Sequence, residues 1–470
     1  MWNFCVQCLL YGSNASAFWL HLPNSLGYTC LQVILIGLDI PVNMPSLGAN
    51  GEIVWAFLCH PIFYYYLCTI IEIKHRLRRL YLSLIGIMLS LLSATAHPMD
   101  SVEVSLLTCE PGTESWAQYG HTAVRWHDRQ EGGMDVAINY GVFSPDAPHF
   151  VLRFILGLTD YQLGVIPFEL FCDQYRYEER TVWEQVLNLD NADKEAIFKA
   201  LQDNMRPENV VYRYNFFYDN CTTRARDLLV NHLHGKVSYP PARKSGDTFR
   251  QMIHEYNAPY PWAQLGEDLL LGVNADRATT KAQQQFLPDH LRADFDHTLY
   301  RGKPFVKLTR EVVSPAKVTH EEGFLPTPNV CAGSFLLLAV VMFLLQWKQK
   351  KVYWGWDLFL MLLSGIVGVI LTMMIFSQHP CVSFNLLLFV FNPLPLVFAY
   401  RATQRTRHQR PDRWWTVWAV LILLGLFGRV FQYYTPAVLV VALVLLIHCV
   451  MHPLLLRRRA AMTHPQNTNG

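Results

Sequence analysis

The sequence predicts an α+β domain followed by a five-helix transmembrane bundle. Three observations lead there. Residues 97–330 carry scattered charges on alternating strand-like and helix-like segments, long enough to bury a core of their own. From 331 to 456 the chain is mostly apolar, in five stretches of near-spanning length. The links between those stretches alternate between basic and uncharged.

Composition narrows the function classes. A chain of 470 residues holds two or three domains. Its 39 basic and 37 acidic side chains imply no strongly basic face, which argues against nucleic acid as a partner. From residue 97 onward the cysteines show no finger-like spacing, so neither a metal nor another cofactor is expected. Within the globular segment the cysteines are Cys109, Cys172 and Cys221. If that segment is exported, Cys109 and Cys172 pair as a disulfide or all three stay free, because pairing is not readable from sequence.

Residues 74–96 have the parts of a secretory signal. Lys74, Arg76, Arg78 and Arg79 precede an apolar run that ends in Ala94-Thr95-Ala96, a small-x-small cleavage pattern. A retained first membrane helix is the alternative, and in both cases the chain after Ala96 is exported. Residues 1–73 read as an over-extended start, with extra membrane-associated segments near 29–41 and 52–72 as the other reading.

The apolar stretches are 331–347, 354–376, 382–400, 414–432 and 436–455. Lys348, Lys350 and Lys351 fill the first link, and Arg401, Arg405, Arg407, Arg410 and Arg413 fill the third. Arg457, Arg458 and Arg459 open the tail, 457–470, while 377–381 and 433–435 lack Lys and Arg. The positive-inside rule then puts the C-terminus in the cytoplasm and residues 97–330 outside. Trp347, Trp354, Trp356, Trp414, Trp415, Tyr433 and Tyr434 are expected at the interfaces. His379, Asn385 and Asn392 fall near the outer leaflet, where polar groups are functional suspects. Arg429 is expected to snorkel.

In the globular segment a strand is expected at 102–108, then a hairpin of Thr122–His127 and Val136–Phe143 turned by 130–133. A helical region at 147–156 and strands near 160–167 and 180–188 come next. Asn191 opens a helix that Pro207 stops. A strand at 209–215 leads through Asp219-Asn220-Cys221 into a helix ending at Gly235.

Cys221 is the candidate nucleophile. With Asp219 or Asn220 as N-cap, its thiol lies in the first helical turn, where free N–H groups and the dipole favour a thiolate and can donate to an oxyanion. His121, at the start of a strand, is the candidate general base, and Asn139 on the partner strand the candidate orienting group. Singly, each has a blander reading as a core or strand-edge residue. Zinc binding by His121 and His127 has poor support, since no further ligands stand at useful spacing. Histidine first on a strand, then cysteine at a helix start, is the papain arrangement permuted, as in lecithin–retinol acyltransferase and NlpC/P60-like thiol enzymes.

Longer motifs sharpen this. Leu106–Glu114, Tyr119-Gly-His-Thr-Ala-Val-Arg125, Asn139-Tyr-Gly141, Phe216-Phe-Tyr-Asp-Asn-Cys-Thr-Thr-Arg224, Pro261-Trp262, Gly266–Gly272 and Phe286-Leu-Pro288 resemble the Bacteroidetes lipoprotein N-acyltransferase (Lnb) family. The stretch from His379 through Asn385 to Asn392-Pro393 resembles the family's membrane part. The resemblance implies an inner-membrane thiol acyltransferase with its catalytic domain in the periplasm. Cys221 would take an acyl chain from a phospholipid and pass it to the α-amine of a diacylglyceryl lipoprotein, with His121 moving protons. Tyr119, Arg125, Asn220, Arg224, His379 and Asn385 are the candidate substrate contacts; Arg125, Arg224 or Arg226 is the candidate phosphate contact, with a solvated surface arginine the blander reading of any one. Asp268 and Asp276 are read as groups that support the site or as ordinary helix and turn caps, the caps being preferred. A membrane-anchored thiol hydrolase of the same fold is the alternative, and a non-catalytic scaffold the third.

Overall fold

The structure is a computed structural model that describes residues 99–114, 116–143, 148–149, 152–153, 156–242, 246–315 and 325–463. The expected signal segment and the residues before it lie outside the described residues, as does half of the expected helical region at 147–156. Residues Pro98–Gly470 form one compact unit.

The first half is built on a seven-stranded antiparallel sheet. Its strands are β1 (Val102–Cys109), β2 (His121–Asp128), β3 (Asp135–Val142), β4 (Asp160–Pro167), β5 (Val182–Leu187), β6 (Val211–Arg213) and β7 (Val306–Val313). Their order across the sheet is β7-β5-β1-β2-β3-β4-β6. The expected hairpin is β2–β3, in register from His127↔Asp135 to Ala123↔Asn139. Beyond Asn139 the pairing of β3 with β4 shifts at Gly141, whose φ of 87° belongs to the left-handed region that favours glycine.

Helices cover both faces. The sequence reading missed α1 (Phe168–Tyr177), although Phe168, Phe171, Cys172 and Tyr175 supply a helical stripe of buried residues. These pack with Cys109, Ala123 and Ala137 on one side of the sheet. On the other side Leu106, Val124, Trp126, Ile138 and Tyr140 meet α2 (Asn191–Asn204) and α3 (Cys221–Val230). Next come α4 (Phe249–Asn257), α5 (Pro261–Leu270) and α6 (Pro288–Asp296). Cys109 and Cys172 are both buried and free; burial pushes their thiols up to about 12 and about 11.

The second half is helical: α7 (Pro328–Gln349), α8 (Trp354–Ile375), α9 (Leu394–Arg407), α10 (Trp414–Phe427) and α11 (Pro436–Thr463). Among the described residues four spans are long and apolar enough to cross a membrane, one of them Leu386–Arg407; Trp414–Val430 is a shorter apolar helix. The sequence reading placed the third stretch too early. The Leu386–Arg407 span is interrupted at residues 390–393, and Pro393 and Pro395 stand at the start of α9, so Arg401, Arg405 and Arg407 lie on the helix, not in a link. Arg401 and Arg405 pair with Asp412. The expected aromatic belt is also smaller. Trp347, Trp354 and Tyr433 are exposed, but Trp356, Trp414, Trp415 and Tyr434 fill the bundle core.

A buried polar cluster ties the basic end of the bundle together. Asp357 accepts from His448 at 2.9 Å and His452 at 3.0 Å, and Thr406 meets His452 at 3.0 Å. The uncharged links face the sheet domain. There Gly272 N–H donates to Cys381 O and Val273 N–H to Phe384 O. The Asn274 side chain donates to Pro380 O, and Tyr433 N–H to Asp276. Arg250, almost fully buried, holds both Asp268 and Asp276 and the Leu271 carbonyl. Asp268 and Asp276 are therefore this arginine's counter-ions, and the capping role read from sequence is corrected.

Candidate functional site

Cys221 is the first residue of α3, and its cap places it. Asn220 accepts from Thr222 and Thr223 N–H, each at 2.9 Å, while Thr223 Oγ1 accepts from Asn220 N–H at 2.9 Å. The Asn220 Nδ2 donates to Phe216 O and Phe286 O at 2.8 Å. One asparagine thus caps the helix and anchors the loop before it. The cap occupies the N–H groups of Thr222 and Thr223, not that of Cys221.

His121 begins β2, opposite Cys109 on β1. Its Nε2 lies 3.1 Å from Asn139 Oδ1, and the imidazole also hydrogen-bonds Cys221. Thr122 supports the contact twice. Its Oγ1 meets Thr222 Oγ1 at 3.0 Å, and its N–H donates to the Cys221 sulfur. Cys221, His121 and Asn139 are brought together as the sequence reading arranged them.

Electrostatics favours an ion pair. Burial raises the Cys221 thiol, but the His121 charge, its hydrogen bond and the Thr122 N–H outweigh this and leave it below the ordinary range. Burial likewise lowers His121, and the neighbouring thiolate reverses that and holds it above its usual value. A thiolate beside an imidazolium is a nucleophile that needs no further activation.

The expected substrate contacts are each engaged within the fold. Arg125 lies on β2 in a buried cluster, with Asp135 at 2.6 Å and Glu184 at 3.1 Å, over the Phe168 ring. Arg224 forms a two-point pair with Asp219 and stacks 3.4 Å over the Tyr212 ring. In both, carboxylates already occupy the guanidinium fork. Asn220 is the cap. Asn385 donates to Leu269 O at 2.7 Å and accepts from Gln432 and Leu387 N–H, so it stitches the bundle to the sheet domain. Tyr119 donates to Glu267 at 2.6 Å, joined by Asn257 Nδ2. Burial pushes Glu267 up from the ordinary carboxylate range. His379 sits beside Gly157, with its N–H on Ser377 Oγ.

The loop before Cys221 rests on the membrane part. Phe217 shares one apolar cluster with Phe249, Phe286, Met374, Cys381 and Val382. Sequence reasoning missed this, as it missed Thr122, Glu267 and Tyr212. The aromatic run Phe216-Phe217-Tyr218 before the cysteine was the signal for it.

Among the described residues no group of histidine, cysteine and carboxylate side chains is arranged to hold a metal. The Lnb N-terminal periplasmic domain matches residues 94–255, and the Lnb transmembrane domain matches residues 319–459. No curated protein and no solved structure matches the chain. With a periplasmic domain and a membrane-spanning region in one chain, both matched by models of the same family, the protein is an inner-membrane protein that belongs to the Lnb family.

Proposed function

We propose that this protein is a lipoprotein N-acyltransferase that works through a Cys221 thioester. Lnb membership suggests a membrane enzyme that modifies lipoproteins. The observation that carries the finer reading is the Cys221–His121 pair, whose loop is packed on the bundle's uncharged end. A nucleophile held there meets the ester of a phospholipid at the level where the headgroup joins the chains.

The Cys221 thiolate attacks a phospholipid ester carbonyl. As the C–O bond breaks, His121 gives its proton to the leaving alkoxide, and a lysophospholipid departs. The α-amine of a diacylglyceryl-cysteine then attacks the thioester. His121 takes the amine's proton, the C–S bond breaks, and the thiolate–imidazolium pair returns. Asn139 keeps Nε2 occupied, so that Nδ1 faces the sulfur. No cofactor is needed. The basic ends of α7, α9 and α11 support a cytoplasmic tail, with the sheet domain and 377–392 on the periplasmic side.

The test is mass spectrometry of lipoprotein N-terminal peptides from cells depleted of this protein. Complementation uses wild type, Cys221→Ala or His121→Ala. Loss of the N-acyl group on depletion, restored by wild type alone, supports the reading. An unchanged N-acyl cysteine in a strain without a second N-acyltransferase rejects the acceptor and favours a thiol hydrolase.

A further inference from the structure

We infer that the Tyr212 hydroxyl is the side-chain donor to the oxyanion that forms when Cys221 attacks an acyl carbonyl. The inference rests on the thiol acyl chemistry proposed above and adds a residue to it.

Tyr212 lies on the edge strand β6 and is 8 % exposed. Its Oη is buried, and among the described residues no acceptor meets its proton. The Gly141 N–H approaches the same oxygen, but as a donor it leaves that proton free. Buried hydroxyls almost always spend their proton, so an unspent one beside a nucleophile points to an acceptor that arrives with the substrate. The hydroxyl is not needed for packing. The ring is fixed by Arg224, 3.4 Å above its face, and by Tyr140, edge-on at 6.5 Å, contacts that a phenylalanine would also make.

The place of the hydroxyl is set by the bulge in β3. At Gly141 a side-chain carbon would stand 3.7 Å from Cys221 Cβ, 3.9 Å from Tyr212 Oη and 3.8 Å from the edge of the Tyr214 ring. Cys221 and the Tyr212 hydroxyl therefore flank the same glycine, and no side chain stands between them there. Tyr214 presents a ring carbon there, not its hydroxyl. Burial and the nearby Cys221 charge both hold the Tyr212 hydroxyl protonated, as a donor must be. The Cys221 N–H, outside the Asn220 cap, is the natural second donor.

In each half-reaction the carbonyl π bond opens as the nucleophile adds, and the electron pair goes to this oxygen. It returns when the alkoxide, or later the thiolate, departs. Tyr212 lends a hydrogen bond and keeps its proton throughout.

The test compares full-length wild type, Tyr212→Phe and Tyr214→Phe in detergent. Two reactions at Cys221 are followed. Acylation by a p-nitrophenyl fatty acyl ester passes through an oxyanion and needs no proton for its leaving group. Alkylation by iodoacetamide needs the thiolate but forms no oxyanion. The expected result is about a 100-fold slower acylation for Tyr212→Phe, with alkylation unchanged and Tyr214→Phe near wild type. Equal acylation of Tyr212→Phe and wild type overturns the inference. So does a parallel fall in acylation and alkylation, or a loss carried by Tyr214→Phe instead. Wild type that accepts the p-nitrophenyl ester but no phospholipid rejects the proposed function and leaves Tyr212 testable. Wild type that is alkylated but accepts neither ester overturns both.

Discussion

His121 Nε2 lies 3.1 Å from Asn139 Oδ1, and this bond leaves the other ring nitrogen to Cys221. The two residues stand on adjacent strands. Asn139 faces Ala123, two places along β2 from His121, so the bond crosses the hairpin diagonally. The sheet register therefore fixes the ring's orientation. Asn139→Ala frees the imidazole to turn. Turnover is expected to fall about a hundredfold, short of the ~10⁴-fold loss that accompanies corruption of a charged orienting group. Alkylation of Cys221 measured beside turnover separates a misoriented ring from a lost thiolate.

The pH dependence comes from the directions of the two shifts. Activity needs Cys221 deprotonated and His121 protonated. Cys221 lies below its ordinary value, which moves the acid limb down, and His121 lies above its own, which moves the alkaline limb up. Both limbs belong to the pair. In His121→Ala the attraction is gone and burial is opposed only by the Thr122 and Thr222 hydrogen bonds, so the iodoacetamide rate should titrate at higher pH than in wild type. A profile unmoved by that substitution contradicts the ion pair.

Asn220→Ala removes the cap of α3 and leaves the Phe216 and Phe286 carbonyls without their donor. A loss of about 2 kcal/mol in unfolding experiments is expected. Asn220→Asp retains the cap acceptor but turns a carboxylate on two carbonyls and adds negative charge beside Cys221. It should unfold early and also react more slowly with iodoacetamide at neutral pH.

Glycines at close approaches give a further comparison, Gly272 where the two halves meet and Gly368 inside the bundle. A side chain at Gly272 would stand 2.1 Å from Phe384 O, and one at Gly368 2.2 Å from the Asn392 backbone. At Gly333 nothing lies within 4 Å. Alanine at either of the first two should lower stability by about 1–3 kcal/mol, and at Gly333 by less than about 0.5 kcal/mol. Thermal unfolding in detergent ranks the three.

Local patterns made much of this legible. The β2–β3 hairpin and the helix start at Cys221 are read from alternation and from capping residues near the chain position concerned. The family motifs around His121 and Cys221 are contiguous. The features that stayed hidden depend on distant partners. Arg125 and Arg224 look like free cations in sequence, and only the fold reveals Asp135, Glu184 and Asp219 beside them. Arg250 drew no notice, because its counter-ions come from residues 268 and 276. The unspent Tyr212 proton was invisible for the same reason. Even α1 was missed, since its stripe is short and comes after a strand without a capping residue.

The most direct measurement is the mass of Cys221 during turnover. Full-length protein is incubated with phospholipid alone, quenched in acid, and the peptide carrying Cys221 is weighed. The account predicts a gain of one acyl chain on Cys221. Neutral hydroxylamine should remove it, and it should vanish when a diacylglyceryl peptide with a free α-amine is added. N-acyl product formed without any adduct on Cys221, or with Cys221→Ala as fast as wild type, would contradict it.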